Sequence, residues 1–278
     1  MNSFNDLKFS KNIDQDGGLR KDNKFKSSSK DYPLISIITA VYNNEKFLRE
    51  CLNSIYNQTY KNFEHIIIDG GSTDETLNIL KEYENKIDYW CSKKDKGIYD
   101  AFNLGMKLSR GDIICFVNSD DQFYSNNTLD YAHKAFQKNK KVDFIFGPVK
   151  KHWGLLYGYK PHKVYWSWGF YSSHSTGFFI KRSSAKIVGL YNLEYKYSSD
   201  YDYFYRMIVK EKLKGIGTSK DEIFGIFRRG GFSSKVKFLD HFKEELRIRY
   251  DNNQNLLLIF FIFIYKSIRH LKKIINGI

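Results

Sequence analysis

The feature that most constrains the fold is a series of short apolar runs, each of which ends abruptly in polar turn residues. Residues 34–40, 63–68 and 113–117 are rich in isoleucine and other large apolar residues, which is typical of strands buried on both faces of a sheet. Segments with helical spacing of apolar residues separate these runs. The alternation, with its short connections, predicts an α/β fold with a mostly parallel sheet and helices on both faces.

Acidic residues stand where these runs end. Asp69 and Asp74 follow the second run, Asp95 lies in the loop before a predicted helix, and Asp120 and Asp121 close the last run. Each alone is an ordinary turn residue. The carboxyl ends of parallel strands meet at one edge of a sheet, where ligands bind, so we expect the acids to gather there. Gathered carboxylates repel one another unless donors or a cation neutralise them, and a divalent cation bound to phosphate needs only one or two.

The charge and the cysteines limit the possible partners. The 278-residue chain has a formal net charge of +14, which concentrates near the N-terminus, in residues 138–141 and in residues 235–273. Nucleic acid, an anionic membrane surface or a phosphorylated substrate would each account for it. Cys51, Cys91 and Cys115 form no CxxC pair, so neither a disulfide framework nor a zinc site is expected, and a reducing cytoplasm is the default. The first residues lack the apolar core of a secretory signal.

The sequence divides into three parts. Residues 1–32 are polar and aperiodic, which predicts a disordered or loosely attached tail. Residues 33–235 predict one α/β domain, with a regular half at 33–121 and a less regular half at 122–235. Residues 236–278 predict a basic helical tail.

An almost pure apolar stretch at residues 256–265 lies within the basic tail. It is about ten residues long, short of the roughly twenty that a membrane-spanning helix needs. One interpretation is a buried core helix. The other is a helix lying on an anionic membrane surface, and the basic residues at 266–273 favour this second interpretation.

Four segments together resemble a known family. They are residues 35–43 (ISIITAVYN), 67–74 (IIDGGSTD), 95–103 (DKGIYDAFN) and 111–121 (GDIICFVNSDD). In order and spacing they are similar to family 2 of the inverting glycosyltransferases, most closely to bacterial members that build lipopolysaccharide, O-antigen or capsule. The resemblance implies a GT-A, Rossmann-like fold, with a nucleotide-binding half before an acceptor half. Each segment alone is a weak signal, whereas the combination is specific.

The resemblance implies a set of residues that bind the nucleotide sugar. Tyr42 would lie near the base, and Asp69 would accept a hydrogen bond from its uracil-like edge. The whole implied set is Thr39, Ala40, Tyr42, Asn43, Asp69, Asp95, Gly97, Asn103 and Ser119.

The resemblance also implies a metal site for Mg2+ or Mn2+. Asn118, Ser119 and Asp120 occupy the place of the family's Asp-x-Asp motif. Because its first acid is an asparagine here, Asp120 would carry the contact to the metal, with Asp121 as a helper.

On the acceptor side, the resemblance assigns His174 to the segment before the acceptor site and Asp200 as the catalytic base. An inverting transfer needs one carboxylate opposite the leaving phosphate to take the proton of the attacking hydroxyl. Asp202, two residues on, is expected to cap or anchor the helix that carries Arg206. Arg228 or Arg229 is a candidate for contact with the diphosphate.

The resulting hypothesis is an inverting, metal-assisted transfer of a sugar from a nucleotide-diphosphate sugar, with a UDP-sugar favoured, to a hydroxyl of a surface-glycan acceptor. The expected partners are a glycan or lipid-linked acceptor and an anionic membrane surface. The expected location is the cytoplasm, peripheral on the inner face of the cytoplasmic membrane. One alternative is a catalytically weak membrane-surface scaffold of the same fold, since Asn118 replaces an acid. The other, a basic nucleic-acid-binding protein, is disfavoured because the clustered acids would repel a phosphate backbone and no nucleic-acid-binding motif is present.

Overall fold

The computed structural model describes residues 13–166, 175–228 and 236–271. Their strands run in chain order as β1 (Gln15–Gly17), β2 (Ile35–Val41), β3 (Phe63–Asp69), β4 (Tyr89–Ser92), β5 (Ile113–Phe116), β6 (Gln122–Phe123), β7 (Phe144–Phe146), β8 (Val149–Lys151), β9 (Gly154–Leu156), β10 (Phe178–Lys181), β11 (Gly215–Gly217) and β12 (Gly225–Ile226).

The helices are α1 (Leu48–Tyr56), α2 (Thr76–Glu82), α3 (Ile98–Leu108), α4 (Thr128–Lys138), α5 (His162–Trp166), α6 (Arg182–Val188), α7 (Ser199–Tyr205), α8 (Phe238–Asp251) and α9 (Leu256–Arg269). Short 3-10 turns cover Leu19–Asp22 and Ser175–Gly177, and a π turn at Arg206–Lys210 continues α7.

The main sheet has the strand order β1-β4-β3-β2-β5-β10-β7-β11. Its centre is parallel, because β2 pairs in parallel with β3 and with β5, and β3 pairs in parallel with β4. Strand β10 enters antiparallel between β5 and β7. The α/β fold predicted from the sequence, with a mixed but mostly parallel central sheet, is confirmed. A second sheet, in the order β6-β12-β8-β9, lies beyond β5 in the chain.

Helices cover both faces of the main sheet because side chains alternate along its buried strands. On β2, Ile38 belongs to the cluster that contains α3, α6 and α7, whereas Ile37 packs with α1 and α4 on the other face. Helix α3 approaches β2 closely at Gly105, where a Cβ would lie 2.3 Å from Ile38 Cγ2. All three cysteines are buried in these layers.

The predicted loose tail is wrong for residues 13–32. Strand β1 pairs antiparallel with β4 and extends the sheet. Arg20 then reaches Glu64 on β3 (Nη2–Oε2 2.6 Å), and Lys26 reaches Asp88 (Nζ–Oδ2 2.9 Å). Both acids are buried, so these long-range ion pairs attach a segment whose own composition carries no apolar pattern. Residues 1–12 lie outside the described residues.

Glu64 is the centre of a buried polar network at the end of the sheet where the central parallel strands begin. Its Oε1 accepts hydrogen bonds from Ser36 Oγ (2.5 Å) and from the backbone N–H groups of Arg110 (2.6 Å) and Gly111 (3.2 Å). Its Oε2 accepts from Arg20. One carboxylate therefore joins β2, β3, the turn before β5 and the N-terminal segment.

The C-terminal helices form a hairpin in which α9 is mostly exposed. Within α9 only Ile262 and Lys266 are buried, and Lys266 forms an ion pair with Glu245 of α8. The interpretation of this segment as a buried core helix is therefore wrong. No helix in the described ranges is long and apolar enough to cross a membrane.

We expect Glu64→Ala to lower the free energy of unfolding by about 3–5 kcal/mol, because it leaves the largely buried Arg20 guanidinium, the Ser36 hydroxyl and the Arg110 N–H without their carboxylate acceptor. Urea denaturation measures this loss. Asp22→Ala is the matched control, since the Lys24–Asp22 pair (3.2 Å) is exposed and its removal should cost no more than about 1 kcal/mol. Equal losses in the two variants would contradict the role given to Glu64.

Candidate functional site

The loop that follows β5 is held against the end of β2. Val117 N donates to Ile38 O (3.0 Å) and Ser119 N donates to Ala40 O (3.2 Å), so the loop continues the β2–β5 pairing. The Ser119 hydroxyl accepts a hydrogen bond from Asn44 Nδ2 (2.8 Å) just before α1. These bonds fix the backbone that carries Asp120 and Asp121 at the carboxyl edge of the sheet.

Asp121 is a buried residue that joins three segments. Its Oδ2 accepts a hydrogen bond from Thr176 Oγ1 (3.0 Å), and its Oδ1 accepts from the backbone N–H of Arg228 (3.2 Å). Burial, followed by the charge of Asp120, raises the pKa of Asp121 well above its usual range. Both carboxylate oxygens thus accept hydrogen bonds from the protein, and Asp121 links the loop after β5 to the segments of Thr176 and Arg228.

Asp120 and Asn118 offer the oxygens that fit a metal. Among the described residues, the Asp120 carboxylate has no side-chain hydrogen bond, and the buried Oδ1 of Asn118 has no partner. Burial raises the pKa of Asp120, and the charge of Arg228 opposes this rise. Carboxylate and amide oxygens suit Mg2+ or Mn2+, which bind with few protein ligands when phosphates supply the rest. The described residues contain no cluster of three or more metal-ligating acids, histidines or cysteines.

Asp69 holds the turn that follows β3. Its side chain is fully buried, and its Oδ2 accepts hydrogen bonds from the backbone N–H groups of Gly71 (3.0 Å) and Ser72 (2.9 Å) and from Ser92 Oγ (2.6 Å). Its Oδ1 accepts from Ser72 Oγ (2.5 Å). The carboxylate at the end of β3 folds back onto its own turn, and its contact with a nucleotide base stays a prediction.

Thr39 and Asn103 also turn into the protein. Thr39 Oγ1 bonds to Nε2 of the buried His65 (2.9 Å), whose pKa falls to about 3 because of burial. Asn103 holds the backbone of Tyr191 from both sides, through Nδ2 to the carbonyl (2.9 Å) and Oδ1 to the N–H (2.8 Å). Both side chains are thus engaged within the protein, and the prediction that they line the nucleotide-sugar site stays a prediction. Sequence spacing identifies the segment but not the direction of each side chain.

Tyr42 and Asn43 lie at the end of β2, where a ligand can reach them. Tyr42 is 63% exposed, and Ala40 and Val41 before it are the last buried residues of β2. Asn43 adopts a positive φ of 45°, and its Oδ1 accepts from the backbone N–H of Thr73 (2.8 Å). This bond ties the loop after β2 to the loop after β3.

Asp95 and Gly97 form a tight turn before α3. Asp95 Oδ1 accepts from Gly97 N (2.8 Å), and Gly97 has a φ of 111°, which only glycine adopts without strain. The Asp95 carboxylate lies against Gly70, where a Cβ would lie 3.0 Å from Oδ2. Partial burial raises the pKa of Asp95. It is an acidic group at this edge that is not enclosed by its own loop.

Asp200 lies on the first turn of α7 with its carboxylate open to solvent. Oδ1 accepts hydrogen bonds from Tyr201 N (2.8 Å) and Tyr99 OH (3.3 Å). Close packing on its protein side removes part of the hydration of the carboxylate and raises its pKa, and the two hydrogen bonds partly offset this rise. Asp200 is thus accessible to a ligand while being held by α3 and α7.

Asp202, by contrast, is buried and paired. Its Oδ2 accepts from Arg206 Nε (2.8 Å) and its Oδ1 from Asn252 Nδ2 (3.0 Å). Arg206 also donates to the carbonyls of Val188 and Leu190. The anchoring role expected for Asp202 agrees with these bonds, which leave Asp200 as the accessible acid of this turn.

Lys151 is a functional candidate that sequence reasoning misses, because one lysine in a basic chain carries no motif. It ends β8, and its Nζ lies 4.6 Å from the centroid of the Phe227 ring. Burial lowers the pKa of Lys151, while the negative charges of Asp121 and Asp200 oppose that fall. The pKa of one lysine thus responds both to Asp121 after β5 and to Asp200 on α7.

Arg228 lies next to the same acids. Its guanidinium forms an ion pair with Glu50 and stacks on the Phe47 ring, 4.6 Å from the centroid. Its positive charge opposes the rise in the pKa of Asp120 that burial causes. His174 and Arg229, the other predicted residues of this side, lie outside the described residues.

Comparison with known proteins bears on this arrangement. The family model described as glycosyl transferase family 2 matches residues 36–204, which is more than half of the chain. The chain belongs to glycosyltransferase family 2. The match runs from β2 to α7 and includes both Asp120 and Asp200.

Curated relatives of this family 2 chain carry glycosyltransferase names. An uncharacterised glycosyltransferase of Rickettsia typhi is 30% identical over 188 residues, which cover 63% of this chain and 59% of the relative. A PGL/p-HBAD biosynthesis glycosyltransferase of Mycobacterium bovis is 30% identical over 184 residues, which cover 62% of this chain and 68% of the relative. The chain thus spans less than two thirds of the Rickettsia protein.

Solved structures share the GT-A fold of this family 2 chain. Staphylococcus aureus TarS in complex with UDP-GlcNAc aligns with a TM-score of 0.66 and 21% identity, over 86% of this chain and 72% of that one. Mannosyltransferase PcManGT from Pyrobaculum calidifontis, in complex with GDP-Man and Mn2+, aligns with a TM-score of 0.63 and 14% identity, over 91% of this chain and 75% of that one. The GT-A fold expected from the sequence is confirmed.

Proposed function

We propose that the chain transfers a sugar from a nucleotide-diphosphate sugar to a hydroxyl group of a surface-glycan acceptor, with inversion of the anomeric configuration. The observation that carries the proposal is the family 2 match over residues 36–204, which includes the loop after β5 (residues 118–121, the acid loop) and Asp200, the exposed acid on the first turn of α7. The charges of Asp121 and Asp200 both oppose the fall in the pKa of Lys151, which supports a cleft bordered by the acid loop and α7. An inverting transfer needs this combination, with leaving-group stabilisation on one side and a base on the other.

The donor occupies the end of β2 and the acid loop in this proposal. Tyr42 is exposed and able to stack on a base, and the half-buried Asp95, whose Oδ1 accepts from Gly97 N, binds the polar edge of the base or the sugar. A Mg2+ or Mn2+ ion, held by Asp120 with Asn118, would neutralise the charge of the diphosphate. Lys151 adds a protein cation to the same cleft. UDP-GlcNAc in TarS and GDP-Man with Mn2+ in PcManGT support this donor class.

Asp200 acts as the base in the proposed reaction. The acceptor oxygen attacks the anomeric carbon as its proton moves to the Asp200 carboxylate. The bond from that carbon to the diphosphate breaks, and the bonding electron pair leaves with the phosphate. No covalent intermediate with the protein is needed, so one accessible carboxylate suffices.

Release of nucleoside diphosphate separates this enzyme from a scaffold of the same fold. A panel of UDP-, GDP- and TDP-sugars, screened by thermal shift with and without Mn2+, identifies the donor that the chain binds. Release of nucleotide from that donor supports the proposal. Binding of a donor with no release under any acceptor condition would favour the scaffold.

For the metal site, we expect Asp120→Ala to abolish the Mn2+-dependent part of the thermal stabilisation by UDP. The variant loses the carboxylate that has no other bond among the described residues, so its Tm without ligand should stay close to wild type. Asp221→Ala, with the same charge change in an exposed loop, should keep the Mn2+ response. A full Mn2+ response in Asp120→Ala would reject the assignment.

For the base, we expect Asp200→Asn to lower kcat roughly a hundred- to ten-thousand-fold while UDP affinity barely changes. Because the pKa of Asp200 is raised, wild-type activity should fall as the pH decreases through a value above the ordinary aspartate pKa of about 4. This acidic limb should disappear in Asp200→Asn. Asp202→Asn should instead lower Tm, because it weakens the buried pair with Arg206. Unchanged turnover in Asp200→Asn would require another base.

We also propose that α9 attaches the protein to an anionic membrane surface. The exposed apolar side chains of α9 are Leu256, Leu257, Phe260, Phe261, Phe263, Ile264, Tyr265 and Ile268. Arg269 ends the helix and His270 follows it, and Lys272 and Lys273 come shortly after in the sequence. An apolar helix face beside basic residues fits the boundary between acyl chains and anionic headgroups. This location agrees with a lipid-linked acceptor.

Sedimentation with vesicles tests this attachment. Wild type should bind vesicles that contain phosphatidylglycerol more tightly than pure phosphatidylcholine vesicles, and salt should weaken the binding. Leu257→Glu combined with Phe261→Glu should lower the affinity by more than about tenfold, since both side chains are mostly exposed in the free protein. Ile187→Glu, at an equally exposed position on α6, should bind as wild type does. Equal binding by all three proteins would exclude α9 as the attachment site.

A further inference from the structure

Helix α8 forms hydrogen bonds with the backbone immediately before Asp200. The Glu244 carboxylate accepts hydrogen bonds from three consecutive backbone N–H groups, those of Lys196 (2.6 Å), Tyr197 (2.8 Å) and Ser198 (2.8 Å). Oε1 takes the first and Oε2 takes the other two. We call this arrangement of Glu244 and the three N–H groups the amide clamp.

The amide clamp lies where α7 begins. N–H groups at the start of a helix have no partner within the helix, and the positive end of the helix dipole favours a negative charge there. Ser198 precedes α7, and its side chain makes no capping bond of its own. Glu244, some forty residues later in the chain, thus supplies the negative charge next to the start of the helix that carries Asp200 on its first turn.

Further bonds join α8 to both sides of Asp200. Before it, Ser198 Oγ bonds to His241 Nδ1 (3.1 Å), and Tyr195 OH donates to Asp251 Oδ2 (2.7 Å). After it, Asn252 Nδ2 donates to Asp202 Oδ1 (3.0 Å). The position of Asp200 relative to the cleft is therefore set by α8 as well as by the sheet.

We propose that Glu244 is a positioning residue for the transfer reaction, because it holds the amides of residues 196–198 and thereby fixes the approach of Asp200 to the acceptor hydroxyl. This inference rests on the proposed role of Asp200 as the base. A general base works only within hydrogen-bond reach of its proton, and a displacement of about 1 Å is enough to lower a rate a hundredfold. Glu244 itself touches no reacting atom.

A purely structural role makes different predictions. If Glu244 only stabilised the fold, its replacement would lower Tm, donor affinity and turnover together. If it acts through Asp200, turnover falls while donor affinity stays. Its effect should also vanish once Asp200 can no longer accept a proton, because two residues that act as one unit are not additive.

The experiment is a double-mutant cycle with Glu244→Gln and Asp200→Asn, alone and together. Glu244→Gln keeps the size of the side chain but replaces one acceptor oxygen and removes the charge. Measured with the nucleotide sugar that wild type turns over, kcat in Glu244→Gln should fall about ten- to a hundredfold, with UDP affinity within about twofold of wild type. The double variant should be no slower than Asp200→Asn alone. Asp240→Asn, the same charge change on α8, should retain wild-type kcat.

Amide hydrogen exchange adds a measurement that needs no turnover. The amides of residues 196–198 should exchange faster in Glu244→Gln than in wild type and at the wild-type rate in Asp240→Asn. Unchanged exchange in Glu244→Gln, additive losses of kcat, or a parallel loss of UDP affinity would each overturn the inference. If Asp200→Asn retains full turnover, the proposed base is wrong and the positioning role falls with it. A large loss in Asp200→Asn with none in Glu244→Gln rejects the positioning role alone.

Discussion

The parallel pairing of β2 with β3 on one side and with β5 on the other is the constraint on which the site depends. It brings the carboxyl ends of three strands to one edge of the sheet. The loop after β5 continues this pairing through Ser119 N to Ala40 O, so the acid loop is positioned by backbone bonds before any side chain contributes. At the other end of these strands, the buried Glu64 network fixes where they begin. Together these contacts set the length and the register of the strands that carry the site.

Several acids near this edge hold neighbouring loops through hydrogen bonds. Asp69 bonds the turn that follows it, Asp121 joins Thr176 and the N–H of Arg228, and Glu244 holds the amides before α7. A carboxylate accepts several hydrogen bonds at once, so a single acid can fix the backbone of a loop that has no helix or strand bonds of its own. Asp120 and Asp200 lie next to such held segments: Ser119 is bonded to the end of β2, and Glu244 bonds the three amides at residues 196–198. The holding carboxylates therefore support the loops that carry these two acids.

The sequence predicts the strands better than it predicts the directions of their side chains. The short apolar run at residues 113–117 predicts a buried strand, and β5 forms at this place. Asp69 shares the same kind of strand end as Asp120, yet one carboxylate is buried and the other is open, a difference that depends on Ser92 and the following turn. Residues 13–32 show no apolar pattern, yet ion pairs with Glu64 on β3 and with Asp88 hold them against the sheet. Partners so distant in the sequence leave no local pattern from which order could be predicted. Glu244 is missed for the same reason.

The burial of all three thiols has a practical consequence for work on this protein. Cys51, Cys91 and Cys115 each lie inside the sheet layers with no exposed surface, and burial raises the pKa of each, in Cys91 to about 12. A protonated, enclosed thiol is a poor nucleophile and reacts slowly with maleimides or oxidants. A cysteine introduced on the exposed side of α9 would then be the one fast-reacting thiol of the folded chain. Fluorescent or spin labels can be attached there without first removing the native cysteines, which leaves the packing around β2, β4 and β5 intact.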